Sequence, residues 1–226
     1  KAIVADDSDV KIEVSDDEGS LTAASLKNAL GQTSGTVTLK NKQTVTGNEA
    51  DMTSVLITDA LTAQSGSTAT VSDAVTAAEG GALAAVTNFT VGFTTGVSDA
   101  LSALASDSDA TANLKAIVAD DSDVKIEVSD DEGSLTAASL KNALGQTSGT
   151  VTLKNKQTVT GNEADMKSVL ITDALTAQSG STATVSDAVT VAEAKALADV
   201  DNFTVGFTTG ASDAPSALPS DSDATA

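Results

Sequence analysis

The sequence predicts an α/β repeat solenoid, in which short parallel strands alternate with short helices. Three observations point there: the chain duplicates itself, its alternating segments are spaced for crossover connections, and it lacks large aromatic side chains.

The run KAIVADDSDVKIEVSDDEGSLTAASLKNALG begins at Lys1 and begins again at Lys115, which defines a period of 114 residues. Residues 1–114 form the first repeat unit, and 115–226 form the second, continuous with the first. Alignment leaves nine differences: Thr53/Lys167, Ala77/Val191, Gly80/Ala194, Gly81/Lys195, Ala85/Asp199, Thr87/Asp201, Val97/Ala211, Leu101/Pro215 and Ala105/Pro219. Eight of them fall between positions 77 and 105, so one stretch has diverged while the rest is fixed. The two ends lie at nearly the same phase of the period, as expected of a stretch from a longer array.

Composition narrows the function. There is no Cys, His, Trp or Tyr, and the four Phe all sit in FTVGF segments. Aromatic residues supply much of the buried area in a bulky core, whereas Ala, Val, Thr and Leu suit thin stacked layers. A net charge of −20 opposes binding to nucleic acid, whose phosphates need clustered cations. No run of about 18 apolar residues predicts a membrane span. Without cysteine there are no disulfides and no thiol chemistry.

Four segments alternate apolar and polar residues as half-buried strands do: 124–128 (VKIEV), 150–154 (TVTLK), 182–186 (TATVS) and 203–207 (FTVGF). Their inward sets are Val124/Ile126/Val128, Val151/Leu153, Ala183/Val185 and Phe203/Val205/Phe207. Helices fill the gaps. One covers 21–30 with Ser20 as N-cap and Gly31 beyond its end. A second covers 48–64, with Met52, Val55 and Leu56 on one face. Thr76-x-x-Glu79 and Thr190-x-x-Glu193 read as capping boxes. Asp109 is placed to cap a helix bearing Leu114, Ile117 and Val118. Gaps of about 20–35 residues holding a helix require parallel pairing, and an exactly duplicated unit stacks on itself without a second design. Gly81→Lys, Ala85→Asp and Thr87→Asp, from first to second copy, are expected on solvent, and Ala77→Val and Gly80→Ala on the packed face. Pro219 is incompatible with a helix interior, so VSDALSALAS is expected to hold one short turn.

No catalytic inventory is apparent. General acid–base work at neutral pH draws on His or on a retuned carboxylate or Lys, and neither His nor a phosphate-binding glycine loop is present. The acidic turns Asp120-Asp121-Ser122-Asp123 and Asp130-Asp131-Glu132, repeated from Asp6 and Asp16, together with Asp107-Ser108-Asp109, which recurs as Asp221-Ser222-Asp223, are the one set with metal-binding chemistry. Oxygen donors on turns suit Ca²⁺, yet the spacing fits no calcium loop, and the same carboxylates suit helix N-termini. Outward threonines (Thr150, Thr152, Thr182, Thr184, Thr204) would form a hydroxyl face if strands stack in register. β-branched residues also favour exposed strand positions for their own sake.

The segment VSDAVTVAEAKALADVDNFTVGFTTG, residues 185–210, resembles the Ala/Thr/Asp-rich tandem repeats of giant secreted bacterial surface proteins of the cyanobacterial type. The likeness rests on Asp187, Thr190, Glu193, Ala194 and Leu197, and Gly80-Gly81 departs from it in the first copy. It implies an extracellular or cell-surface structural or adhesive role, with calcium as the implied ion. The expected function is therefore a non-enzymatic spacer or adhesive stalk in a surface protein or fibre. Its partners would be neighbouring repeats or identical chains end to end. The alternative is a module that binds calcium, carbohydrate or ice.

Overall fold

A computed structural model describes residues 8–213. It is α/β, built from parallel ladders alternating with helices. Pro215 and Pro219, with Lys1–Asp7, Asp221 and Asp223, lie outside the described residues. The chain divides into two compact units. The first holds the residues up to Asp99 with Thr111–Glu127 and Gln146–Gly149, and the second holds Ala100–Ala110, Val128–Gly145 and the chain from Thr150 on. These boundaries differ from the sequence period.

In the first unit, β1 (Ile12–Val14), β3 (Val37–Leu39) and β5 (Leu61–Thr62) form one parallel sheet. A second takes β2 (Gly19–Thr22), β4 (Gln43–Gly47), β6 (Ser67–Val71) and β7 (Phe89–Phe93), in that order. Helices α1 (Ala23–Leu30), α2 (Glu49–Leu56) and α3 (Ala77–Ala84) follow β2, β4 and β6. The chain thus runs strand, strand, helix, and then begins the next turn beside the last. β8 (Val97–Asp99) follows β7, and α5 (Ala112–Asp120) packs on α3.

The second unit repeats the pattern. β10 (Gly133–Thr136), β12 (Gln157–Gly161), β14 (Ser181–Val185) and β15 (Phe203–Phe207) pair in parallel, as do β11 (Val151–Leu153) and β13 (Leu175–Thr176). Helices α6 (Ala137–Leu144), α7 (Glu163–Leu170) and α8 (Val191–Ala198) alternate with them, and α4 (Leu101–Leu104) lies against α6. β9 (Ile126–Val128) contains the boundary between the units.

Local chemistry explains where the helices start. Thr22 accepts from the Ser25 N–H and Asn48 from the Asp51 N–H, each satisfying a donor the helix itself leaves open. Both predicted capping boxes are present, at Thr76/Glu79 and Thr190/Glu193. The core is aliphatic: Val37, Leu39, Val45, Met52, Val55, Val71, Leu83 and Val91 are buried in the first unit, and Leu140, Val151, Leu153, Val159, Met166 and Val185 in the second.

Several expectations need correction. The segment 21–30 opens as strand β2, with Thr22 rather than Ser20 as cap, because Ser20 and Leu21 are drawn into the ladder with Thr44 and Val45. The helix from Asn48 ends at Leu56, and Leu61–Thr62 is already strand. Thr111, not Asp109, caps α5; the Asp109 carboxylate bonds the adjacent Ala110 N–H. Gly81 is buried against α5 rather than solvent-facing, although Ala85 and Thr87 are exposed as expected. GSLT, QTVTG and LT, which form β2, β4 and β5 and recur in the second copy, are too short or too polar to show alternation. The helix in VSDALSALAS is a four-residue turn, as expected.

Leu153 is fully buried and Ile171 is 49% exposed. Leu153→Ala is expected to lower unfolding free energy by about 2–5 kcal/mol, and Ile171→Ala by roughly 0.5 kcal/mol or less. Urea denaturation would check both, and similar losses at the two sites would contradict this core.

Candidate functional site: helix-capping carboxylates and threonine ladders

The same few bonds recur at one sequence separation. Lys27 pairs with Asp51 at 2.7 Å, the Glu49 N–H donates to the Asp73 carboxylate at 2.7 Å, the Gln43 N–H donates to Ser67 Oγ at 3.2 Å, and the Thr44 and Thr68 hydroxyls bond at 2.9 Å; all four span 24 residues. The second unit repeats every one: Lys141–Asp165, Glu163–Asp187, Gln157–Ser181 and Thr158–Thr182, again 24 residues apart. Each turn of strand, strand and helix is therefore fastened to the next by equivalent side chains.

Aspartates carry the most regular of these fastenings. Asp73 closes the N-terminus of α2, Asp99 that of α3 through the Ala77 N–H at 3.0 Å, Asp187 that of α7, and Asp213 that of α8 through the Val191 N–H at 3.3 Å. A carboxylate is favoured there because unpaired N–H groups and the helix dipole converge at that end. The residue comes from the following turn of chain, so the cap also locks two turns together. The VSD and ASD segments (71–73, 97–99, 185–187, 211–213) position these aspartates.

The candidate calcium residues are employed in a related way. Asp120 and Asp121 accept from the Val91 and Phe93 N–H groups at 2.9 and 2.7 Å, closing the open edge of β7. The Asp130 carboxylate accepts from the Leu101 N–H at 2.6 Å, and its carbonyl accepts from Asn155 and Gln157. The Asp131 carbonyl takes a second bond from the buried Gln157 amide at 3.0 Å. Asp123 stands beside Asp121; burial first, and then this neighbour, push the Asp121 carboxyl up. Glu132 is exposed. Asp121 and Asp123 are brought together, but among the described residues no group of three or more acidic side chains is placed to hold a metal ion.

Threonines form the second regular feature. Ser20, Thr44, Thr68 and Thr90 stand in one row across β2, β4, β6 and β7, and Thr22, Thr46 and Thr70 in a second ending at Gly92. The second unit has Ser134, Thr158, Thr182 and Thr204, then Thr136, Thr160 and Thr184 ending at Gly206. Thr182, Thr184 and Thr204 fall in these rows as expected. Thr152 lies in the other sheet opposite Thr176, and Thr150 precedes β11. The missing members came from QTVTG, a strand the sequence pattern did not disclose.

No family model matches the chain, nor does any curated protein or solved structure. Among the described residues no helix is long and apolar enough to cross a membrane.

The capping carboxylates make stability depend on pH. Bonds from the Thr76 and Thr190 backbones, and then their hydroxyls, hold Glu79 and Glu193 below the ordinary glutamate value of 4.5. The Lys141 ammonium holds Asp165 down, and the Thr136 hydroxyl does so for Asp107. A lowered folded value means stability that is present above the unfolded value and lost as pH falls through the folded one. Asp121 works oppositely: its raised value favours the fold in acid and loses that contribution as pH rises. The four lowered groups outnumber it, so the thermal midpoint is expected to fall as pH drops below 4.5. E79Q/E193Q should flatten that fall, and an unchanged acid limb in the double variant would contradict the assignment.

Proposed function

We propose that the chain is a structural repeat module of a secreted cell-surface protein or fibre, a spacer or adhesive stalk whose coils stack as a solenoid and whose partners are neighbouring repeats. The supporting observation is the recurrence of equivalent bonds at a 24-residue separation. Where each coil's neighbour is another coil, length grows by addition and needs no new core. The role is mechanical and carries no catalytic step. The acidic turns serve as staples between coils and leave an anionic exterior that keeps neighbouring arrays apart; Ca²⁺ has no part in this reading. With four strands of one sheet per period at roughly 4.8 Å, each period adds about 20 Å. Small-angle scattering on chains of two, four and six periods is expected to show the maximum dimension rising by that constant step. Growth levelling off as in a compact globule would refute the proposal.

The threonine rows favour a second reading, a module whose flat hydroxyl face takes carbohydrate or ice. Neighbouring hydroxyls sit one strand spacing apart, and the Thr158–Thr182 bond leaves the pair further hydrogen-bonding capacity. Thermal hysteresis that disappears in Thr182→Glu would establish ice binding. A spacer shows no hysteresis and tolerates the substitution.

A further inference from the structure

The contacts that carry the first repeat into the second depend on small residues, on bulk and on one N–H. α5 lies against α3 where two side chains are missing. A Cβ at Gly80 would meet Ile117 Cδ1 at 2.8 Å and Val75 Cγ2 at 2.9 Å, and one at Gly81 would meet Asn113 Oδ1 at 2.7 Å. These distances are well inside van der Waals contact, so the helix can approach this closely only over glycine. At its far end, Asp120 and Asp121 close β7. Val97 is buried and donates its N–H to the Lys125 carbonyl at 2.9 Å. In the second unit the Leu101 N–H donates to Asp130, and Ala105 is buried.

The second repeat changes all five outgoing positions. Ala194 and Lys195 replace the glycines, Ala211 replaces Val97, and Pro215 and Pro219 replace Leu101 and Ala105. Lys195 is exposed and pairs with Asp199 at 2.7 Å. A prolyl nitrogen carries no hydrogen, so the bond from Leu101 to Asp130 has no counterpart at Pro215. The receiving side is spared: residues 1–52 and 115–166 are identical. Five of the nine differences fall on the outgoing face and none on the incoming one.

We infer that these five positions determine which repeat can follow, and that the outgoing face of the second repeat is closed to the helix that the first repeat accepts. Lys195 blocks the close approach of the Asn113 turn, Ala211 leaves the strand contact short of bulk, and Pro215 removes the bond to the incoming aspartate. A repeat bearing the Ala112–Asp120 helix therefore docks after the first copy and not after the second. This builds on the reading that repeats stack, but its test reports on one junction whatever the role of the whole.

Two full chains joined through Asn-Leu complete the period and hold three ANLKAIVADD segments, one inside each chain and one at the fusion, after a second repeat. The internal and fusion segments have the same sequence, so hydrogen exchange by mass spectrometry reads both in one peptide. The fusion is expected to give two populations, one protected and one exchanging as fast as exposed chain. Reverting the junction with A194G, K195G, A211V, P215L and P219A is expected to merge them into one protected population. A single protected population in the unaltered fusion, or two populations after reversion, would overturn the inference. The scattering series measures length and can fail separately, since it does not resolve one helix.

Discussion

Parallel strands that alternate with short helices must satisfy the helix ends and the outer strand edges with groups that arrive from the next stretch of chain. Here that task falls to carboxylates. Asp73, Asp99, Asp187 and Asp213 each accept an N–H at the start of a helix one turn back in the chain. Asp120 and Asp121 do the same for a strand edge. In these four helices, initiation and attachment to the next stretch of chain are thus one interaction, and at eight residues each they are too brief to persist in isolation.

The acidic composition follows from that arrangement. A net charge of −20 would oppose compaction if the carboxylates were merely spread over the surface. Many instead sit against backbone N–H groups or lysines. Thr53 and Lys167 illustrate how the charge is managed: at equivalent places in the two copies, a hydroxyl and an ammonium both reach the glutamate one turn earlier, Thr53 to Glu49 at 2.6 Å and Lys167 to Glu163 at 3.1 Å.

Periodicity made much of the fold legible in the sequence. The parallel pairing, the FTVGF strand, the capping boxes and the buried Met52, Val55 and Leu56 could all be anticipated, because each rests on a local pattern of side chains. The 24-residue recurrence inside the 114-residue period is not legible in this way. The strands QTVTG and GSLT carry only one apolar residue each, and they are strands because neighbouring strands supply the ladder. The aspartate staples were hidden for a related reason. Nothing in VSDA reveals that its carboxylate belongs to a helix some twenty residues upstream. Identical residues also differ by position: Phe89, Val91 and Phe93 are buried, while Phe203, Val205 and Phe207 are only half-buried, since α5 and its aspartates cover the first set.

Asp73 meets the Glu49 N–H, and Asp187 the Glu163 N–H, from 24 residues downstream. During synthesis neither helix start is closed until that later stretch has left the ribosome, so folding trails translation by a short, constant lag instead of waiting for the whole chain.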